Sequence, residues 1–410
     1  MKRYVIIGNG VAAAGCIEGI RSVDPEGGIS VVSEENRRVY SRPLISYYLE
    51  GRTDTERMKY RPDGFYEDNG CRVFLGKKAV SVDASAKLVT LDDGTELPYD
   101  ALCVATGSRP FVPPFAGLDA VEKKFSFMTL DDALALEAAL DKDARVLIVG
   151  AGLIGLKCAE GIHGRVGSIT VCDLADRVLS SILDADCAAI VQKRLEEAGI
   201  RFMLGDTAER FDGGAAYMKS GAEVGFDVLV LAVGVRANTE LVKNAGGEVN
   251  RGVIINERME TSVPQIWAAG DCAEGFDASI GANRVLAILP NAYMQGRAAG
   301  INMAGGDAGL ANAIPMNSIG FFGYHVMTAG AYDGEMLEER SGESVRRFFV
   351  KDGLLRGYIL LGETDRAGIY TSLIREKTPL DTIDFELTKK VASNAIFSRE
   401  IRRKKFGGVV

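Results

Sequence analysis

Two glycine-rich turns carry the strongest chemical signal in this chain of 410 residues. Residues 8–13 read GNGVAA and residues 150–155 read GAGLIG, and each turn follows an apolar run. A glycine turn between a strand and a helix brings backbone N–H groups and the positive end of the helix dipole to a pyrophosphate. Each turn therefore predicts a dinucleotide site, whose residues are Gly8, Gly10 and Ala13 in the first turn and Gly150, Gly152, Ile154 and Gly155 in the second.

An acidic residue ends the β-branched run that follows each turn. Glu34 comes after ISVVS, with Glu35 as a close alternative, and Asp173 comes directly after ITVC. A carboxylate at this position accepts hydrogen bonds from a ribose and repels a 2′-phosphate. We therefore expect Asp173 to favour NAD over NADP, with Arg177 nearby weakening that preference.

The elements that position these turns are repeated along the chain. Both turns belong to a strand–turn–helix–strand unit, and such a duplication favours two dinucleotide folds over one long sheet. Apolar runs at 102–107, 228–234 and 266–271 predict further strands, and the prolines within 109–117 predict a crossing between domains. After Pro315, hairpin-like strands with an Asp-Gly turn indicate a separate α+β domain.

Bulk composition limits the partners. Hydrophobic residues make up 47% of the chain and charged residues 25%, which is enough for ordinary globular cores. A net charge of −8 argues against nucleic acid and anionic membranes, and the basic stretch at 402–405 is interpreted as a solvated tail. No apolar run reaches the ~18 residues of a transmembrane helix. The apolar start predicts a strand rather than a secretion signal, so we expect a cytoplasmic protein.

Cysteines and histidines exclude other kinds of chemistry. The seven cysteines are scattered, and no two lie within five positions of each other. This spacing argues against a disulfide framework and against a close pair of metal ligands. His163 and His325 are the two histidines of the chain. We therefore predict no metal site and no histidine-based catalysis.

Taken together, these segments resemble the two-dinucleotide-fold flavoprotein reductases of the pyridine nucleotide–disulfide oxidoreductase class. The resemblance implies an α/β protein with two Rossmann-like dinucleotide-binding domains and a small C-terminal α+β domain. The NAD-binding domain is inserted in the FAD-binding domain. The implied boundaries are 1–112 and 237–312 for the FAD-binding domain, 113–236 for the NAD-binding domain and 313–410 for the C-terminal domain.

Three further motifs carry the resemblance and imply cofactor contacts. VATGSRP at 104–110 is similar to a strand end that touches FAD, and LAVGVRANTEL at 231–241 is similar to the return from the NAD domain. IWAAGDCAE at 266–274 resembles the motif whose aspartate binds the ribityl chain of the flavin. The helix that follows, within 291–305, would direct its N-terminal dipole at the flavin. The implied cofactor-binding residues are Ala105, Thr106, Gly107, Gly234, Asp271 and Asn291.

Within the class, YSRPLISYYLEG at 40–51 is similar to the NADH:rubredoxin reductases and to the flavin-binding part of assimilatory nitrite reductases. Arg42 stands where the rubredoxin reductases carry a lysine near the flavin, which implies a position beside FAD. The alternative interpretation is that Arg42 forms an ion pair at the protein surface. The resemblance implies electron flow from NADH through FAD to a rubredoxin-type or iron-sulfur protein. Two alternatives stay open: a flavin subunit of a larger iron-sulfur complex, and an NADH-sensing flavoprotein. A homodimer is compatible with either.

Two departures from the class define the expected chemistry. No cysteine lies between Cys16 and Cys71, where disulfide reductases keep a redox-active pair, so we expect turnover without a redox disulfide. Lys157 stands where many relatives carry a glutamate. Its ammonium group would act at the junction of nicotinamide and flavin, or else pair with Glu160 three residues on. Lys157 and Arg42 are thus the candidate catalytic residues.

The acid at position 173 yields the first testable prediction. NADH should reduce the bound flavin with higher efficiency than NADPH, because the Asp173 carboxylate repels a 2′-phosphate. The preference should be modest if Arg177 contacts that phosphate. Stopped-flow reduction with both nucleotides measures it. Equal or better efficiency with NADPH would mean that the role of Asp173 has been misassigned.

Overall fold

The structure is a computed structural model that describes residues 1–398, 400 and 402–403. Lys404 and Lys405 of the basic stretch lie outside the described residues. The chain divides into two compact units. The first contains Met1–Gly275 and Arg284–Leu310, and the second contains Phe276–Asn283 and the described residues from Ala311 onward. The second unit thus includes 276–283, a stretch that the sequence assigned to the FAD-binding domain, and the domain boundaries stay a prediction.

Two five-stranded parallel sheets form the centre of the first unit, as the duplicated pattern predicts. Their strands are rich in Val, Ile and Leu and are largely buried, which is typical of parallel sheets covered on both faces. In spatial order, the first sheet contains Ile266–Ala268, Ala101–Val104, Arg3–Ile7, Gly28–Ser33 and Cys71–Leu75, and the second contains Ile200–Leu204, Ser168–Asp173, Arg145–Val149, Val228–Leu231 and Lys124–Phe125.

Each parallel sheet is accompanied by a three-stranded antiparallel sheet, so the duplication extends beyond the glycine turns. The first of these contains Ala79–Asp83, Leu88–Leu91 and Glu96–Pro98, and the second contains Ala208–Asp212, Ala215–Met218 and Glu223–Gly225.

The chain crosses between the two folds on a pair of short antiparallel strands. Ser108–Pro110 leaves the first fold and Val235–Ala237 returns to it, and Ser108 pairs with Ala237. The proline-rich segment 109–117 thus begins in this crossing, as its composition indicates. A small sheet of Val253–Ile254, Ala273–Asp277 and Ala282–Val285 follows further along the chain.

Helices surround the two parallel sheets. Helices begin at Val11 and at Leu153, directly after the glycine turns, as expected. Among the described residues, no helix combines the length and the apolar character needed to cross a membrane. The α-helices of the first unit are Val11–Arg21, Ile45–Leu49, Phe65–Asp68, Leu130–Ala139, Leu153–Ile162, Ala185–Glu197, Glu240–Asn244 and Leu289–Met303, and the 3₁₀-helices are Arg42–Leu44, Leu118–Ala120 and His163–Arg165.

Glycines bring the first helix, Val11–Arg21, against the last helix of this unit, Leu289–Met303. A Cβ atom on Gly296 would lie 1.9 Å from the Ala12 carbonyl oxygen, and one on Gly300 would lie 2.1 Å from the Cys16 carbonyl oxygen. Since real Cβ atoms do not approach an oxygen so closely, the two backbones touch without side chains between them. This contact holds helix Leu289–Met303 against the helix that begins at the first glycine turn.

The second unit contains an antiparallel sheet and helices, which agrees with the predicted α+β class. Asp352 and Gly353 both have positive φ angles and form the predicted tight turn. The strands, in spatial order, are Met316–Phe321, Tyr324–Gly330, Leu354–Leu361, Ser344–Lys351 and Glu335–Ser341, the α-helices are Ala367–Arg375 and Phe385–Lys390, and the 3₁₀-helices are Leu380–Thr382 and Asn394–Ile396.

The glycine contact between the two helices can be tested by adding one methyl group. Gly300→Ala should destabilise the protein by about 1–3 kcal/mol, because overpacking forces the helices apart. Gly164→Ala is the matched control, since its Cβ would have no heavy atom within 4 Å. Thermal unfolding followed by circular dichroism compares the two variants. Equal melting temperatures would show that the helices tolerate a wider spacing.

Candidate functional site

The first glycine of each turn lies against the end of a returning strand. Gly8 has a φ of +114°, and a Cβ there would lie 2.0 Å from the Ala105 carbonyl oxygen. Gly150 has a φ of +118°, and a Cβ there would lie 2.3 Å from the Ala232 carbonyl oxygen. Both the backbone angle and the lack of space require glycine at these two positions.

The second glycine of each turn opens the helix N-terminus to a ligand. Gly10 and Gly152 are the N-cap residues of their helices, and a Cβ on either would meet no heavy atom within 4 Å. Neither helix has an acidic residue in its first turn, so its positive dipole end is not neutralised there. Each turn is therefore a cradle whose shape and charge fit a pyrophosphate.

The third position differs between the two cradles. A Cβ on Gly155 would lie 1.9 Å from the Gly150 carbonyl oxygen, whereas the first cradle accommodates the methyl group of Ala13, which is fully buried. Ile154, the other predicted residue of the second cradle, is half-buried in the first turn of the helix.

Asn9 is a residue that the sequence analysis missed. Its side-chain amide donates to the Arg37 carbonyl at 3.1 Å, and its amide oxygen accepts the Tyr66 hydroxyl at 2.6 Å. The middle residue of the first turn is thus tied to two later segments. Only its position between two glycines could have pointed to it.

The acids at the strand ends have different surroundings. Asp173 accepts the backbone N–H groups of Ala151 at 2.6 Å and Ala175 at 2.8 Å, which ties the second turn to the next loop. A carboxylate has about four acceptor sites, so it can still accept from a ribose hydroxyl. Glu34 is exposed and pairs with Lys78 at 3.0 Å. Its assignment as the ribose acid of the first fold stays a prediction.

Glu35, the alternative to Glu34, is directed inward instead. Its carboxylate pairs with the Arg42 guanidinium and accepts the Tyr40 hydroxyl at 2.7 Å. The Tyr40 hydroxyl also accepts the backbone N–H of Leu130 at 2.9 Å, and Arg42 donates to the Met128 carbonyl at 3.2 Å. The ion pair considered as an alternative for Arg42 is present, with the Arg42 side chain 39% exposed and the Glu35 side chain 22% exposed. Arg42 thus links the N-terminal segment to the second fold.

Asp271 lies after the strand Ile266–Ala268, at the carboxyl edge of the first sheet. The Ser108 hydroxyl donates to its carboxylate at 3.4 Å. Burial raises the pKa of the Asp271 carboxyl, while the charge of Arg42 and the Ser108 hydroxyl act to lower that pKa. A carboxylate in this position needs hydrogen-bond donors, which the hydroxyl groups of a ribityl chain supply.

The remaining predicted residues follow strands of the two parallel sheets or, for Asn291, lie at the start of a helix. Asn238, which the sequence analysis did not select, donates to the Thr106 carbonyl and accepts the Thr106 hydroxyl on its own carbonyl, each at 2.9 Å. Ala105 is buried against Gly8, and Gly107 has a positive φ angle. Asn291 is buried in the first turn of helix Leu289–Met303, and Gly234, also with positive φ, follows the strand Val228–Leu231.

Lys157 is the fifth residue of helix Leu153–Ile162, just beyond the first turn of that helix. Its ammonium group pairs with Glu160, the alternative that the sequence left open. The pair is not at the surface, because the side chains are 13% and 6% exposed. A role for Lys157 at the nicotinamide stays a hypothesis.

The cysteines lie in the cores. Six of the seven, all except Cys71, are fully buried. Burial raises the pKa of the Cys71 and Cys272 thiols to about 11, so these thiols are protonated at neutral pH. A hydrogen bond that the protonated Cys103 thiol donates to the Cys16 sulfur, together with burial, raises the pKa of the Cys103 thiol well above its usual value. Cys16 and Cys103 are thus neighbouring thiols in the first core.

Comparisons with known proteins agree with this geometry. The pattern of the family described as pyridine nucleotide-disulphide oxidoreductase matches residues 2–296. The NADH-dependent phenylglyoxylate dehydrogenase subunit epsilon of Aromatoleum evansii is 32% identical, over 97% of either chain. Rubredoxin-NAD(+) reductase of Pseudomonas putida is 29% identical over 73% of this chain and 80% of its own. The chain spans only 50% and 44% of two further curated relatives.

Solved structures show the same architecture. The crystal structure of the covalent putidaredoxin reductase–putidaredoxin complex superimposes with a TM-score of 0.87 at 24% identity, covering 96% of this chain and 97% of that one.

Fold and cradles together define an oxidoreductase with two dinucleotide-binding folds. The chain belongs to the pyridine nucleotide-disulphide oxidoreductase family. It is an NAD(P)H-dependent flavoprotein oxidoreductase whose cofactors are FAD and NAD, which confirms these predictions.

The state of the thiols can be counted in electrons. Anaerobic titration with NADH should consume about two electrons per FAD, the capacity of a flavin without a coupled disulfide. Absorbance at the flavin maximum measures the endpoint. Consumption of four electrons, reduced to two by Cys103→Ala, would instead assign a redox-active disulfide to the neighbouring Cys16 and Cys103.

Proposed function

We propose that this protein takes electrons from NADH and delivers them to an iron-sulfur or rubredoxin-type protein, without a redox-active disulfide. The observation that carries the proposal is the joining of the two cradles. They lie on separate parallel sheets, and the paired crossing strands Ser108–Pro110 and Val235–Ala237 connect them near the carboxyl edges. Two nucleotides bound at these edges would meet at the crossing.

The first cradle and its surroundings would hold FAD. The open helix N-terminus would receive the pyrophosphate, Glu34 the ribose and Asp271 the ribityl chain. When bound, FAD supplies the hydride acceptance and the stepwise electron release that no side chain provides. The residues assigned to this site are Gly8, Gly10, Ala13, Glu34, Arg42, Ala105, Thr106, Gly107, Asp271 and Asn291.

The second cradle would hold NAD in the same way. Asp173 would accept the 2′-hydroxyl of the ribose, and its bonds to Ala151 and Ala175 keep its carboxylate in place. The residues assigned to this site are Gly150, Gly152, Ile154, Gly155, Asp173 and Gly234.

Arg42 would supply positive charge at the edge of the FAD site. Its guanidinium is fixed by Glu35 and by the Met128 carbonyl, so the charge is held in one orientation before any ligand binds. A fixed cation favours negative charge that develops nearby, because no solvent has to reorganise around it. Burial raises the pKa of the Asp271 carboxyl, and the charge of Arg42 opposes that rise.

One observation favours a second form of the same function. The relative that matches over 97% of both chains is named as a subunit of an NADH-dependent dehydrogenase. On this alternative the chain would be the flavin subunit of a larger iron-sulfur complex. Co-purification of an iron-sulfur protein from the native host, at a fixed ratio, distinguishes the subunit from a free reductase.

The function and its FAD site can be tested in one assay. Purified protein mixed anaerobically with NADH should reduce a rubredoxin or a [2Fe–2S] ferredoxin, followed by the bleaching of either protein. Asp271→Asn should weaken FAD binding by about 10- to 100-fold, because it removes charge-assisted hydrogen bonds of about 1.5–3 kcal/mol. Asp119→Asn, at an exposed position, is the matched control. FAD released on dilution gives the affinity.

Two results would contradict the proposal. Wild-type protein that binds FAD and is reduced by NADH, yet passes electrons to neither acceptor, would point to the NADH-sensing alternative. Unchanged FAD affinity in Asp271→Asn would remove that residue from the site.

A further inference from the structure

Three charged residues with little exposed side-chain surface connect the two nucleotide folds of the first unit. The side chains of Glu50, Lys157 and Glu160, which we call the buried charge cluster, are 14%, 13% and 6% exposed. Lys157 and Glu160 lie on helix Leu153–Ile162, which starts at the second cradle. Glu50 directly follows helix Ile45–Leu49 of the N-terminal segment. The cluster therefore crosses from one fold to the other.

The surroundings of the ammonium group explain how it can be buried. It pairs with Glu160 on its own helix, lies 3.9 Å from a carboxylate oxygen of Glu50 and lies 4.5 Å from the centre of the Tyr47 ring. Arg52 donates to the other oxygen of Glu50 at 3.1 Å and lies 4.8 Å above the same ring. Carboxylates and an aromatic face are the groups that compensate a cation for lost water.

The two helices are also matched in shape at this place. A Cβ on Gly161 would lie 3.0 Å from the Ser46 carbonyl oxygen and 3.4 Å from the Leu49 Cβ. The helix backbones thus approach closely at Gly161, which lies one helical turn after Lys157 on the same face. Sliding of one helix along the other would separate Lys157 from Glu50 and disturb the close packing at Gly161.

This interface acts on Arg42 through the chain. The 3₁₀-helix Arg42–Leu44 continues directly into helix Ile45–Leu49, so a shift of that helix moves Arg42. Tyr48, on the same helix, donates its hydroxyl to Glu137 of the second fold at 3.0 Å. The segment that carries Arg42 is therefore held at several points by the fold that carries the second cradle.

We propose that Lys157 is a positioning residue. Through Glu50 and Tyr47 it fixes helix Ile45–Leu49, and with it Arg42, at the distance from the second cradle that the transfer between NADH and flavin requires. Its ammonium group acts on the partner helix and not on the nucleotide. The inference rests on the proposed function, since it takes Arg42 to border the FAD site.

Exchanging the charges separates positioning from direct action. Lys157→Met should lower the limiting rate constant of flavin reduction by NADH about tenfold, equivalent to about 1.4 kcal/mol, through misplacement of Arg42. The Kd for NADH should change by less than about threefold. The double variant Glu50→Lys/Lys157→Glu keeps one ammonium and two carboxylates in the cluster, and it should restore the rate constant to within about threefold of wild type. Stopped-flow absorbance measures both quantities.

Two further variants control for the loss of a positive charge and for a failure to fold. Lys193→Met removes a lysine that is 77% exposed on helix Ala185–Glu197, and it should leave the rate constant unchanged. If Lys157→Met does not fold, Glu50→Gln is the informative variant, because it retains Lys157 and Glu160. It should still slow flavin reduction.

Several outcomes would overturn the inference. One is a charge-exchanged protein that is folded, retains FAD and is as slow as Lys157→Met, because the ammonium would then be needed at position 157 itself. Another is an unchanged rate constant in Lys157→Met or in Glu50→Gln. Failure of the proposed function is distinguishable in the wild-type protein, which would then either show no reduction of bound flavin by NADH or pass electrons from reduced flavin to neither acceptor.

Discussion

The carbonyl oxygen of a returning strand lies so close to the first glycine of each turn that no side chain fits between them. At Gly8 the oxygen belongs to Ala105, and at Gly150 it belongs to Ala232. Ala105 and Ala232 each follow a strand that pairs with the strand before the glycine turn. In each fold the contact therefore places the end of the returning strand beside the helix N-terminus. The cradle and the segments around Thr106 and Gly234 are therefore parts of one edge.

The crossing strands then determine how the two edges relate. Ser108–Pro110 begins four residues after the strand Ala101–Val104, and Val235–Ala237 begins four residues after Val228–Leu231. The two crossing strands pair with each other, and Thr106 and Asn238 form two further hydrogen bonds. These bonds join the two edges within a few residues of Ala105 and Ala232, which contact the cradles. The inserted fold thus needs no long linker, and its cradle is tied to the first one by backbone hydrogen bonds.

Sequence reasoning succeeded where the determinants are local. A glycine turn, the strand before it and the helix after it lie within some twenty residues, so the starts of helices at Val11 and Leu153 could be predicted. It did not extend to interactions between distant residues. Asn9 acts through Tyr66, and the different surroundings of Glu34 and Glu35 arise because Glu35 pairs with Arg42. Two adjacent acidic residues on a bend form no sequence pattern that predicts which side chain is exposed and which is directed inward.

The pairing of Lys157 shows the same limit and has a physical consequence. The stabilising field of a helix dipole is confined to the terminal turn, and a cation near the N-terminus is disfavoured by about 0.3–1 kcal/mol. Glu160, on the same helix, is sufficient to neutralise the ammonium group. Glu50 of the other fold is therefore not needed to neutralise Lys157, and its approach instead adds a connection between the two folds. Arg42 repeats this arrangement, since it pairs with Glu35 on its own side and reaches across to the Met128 carbonyl. Both cations thus tie the two folds together while each keeps a carboxylate partner within its own fold, so neither cation depends on the neighbouring fold for its ion-pair partner.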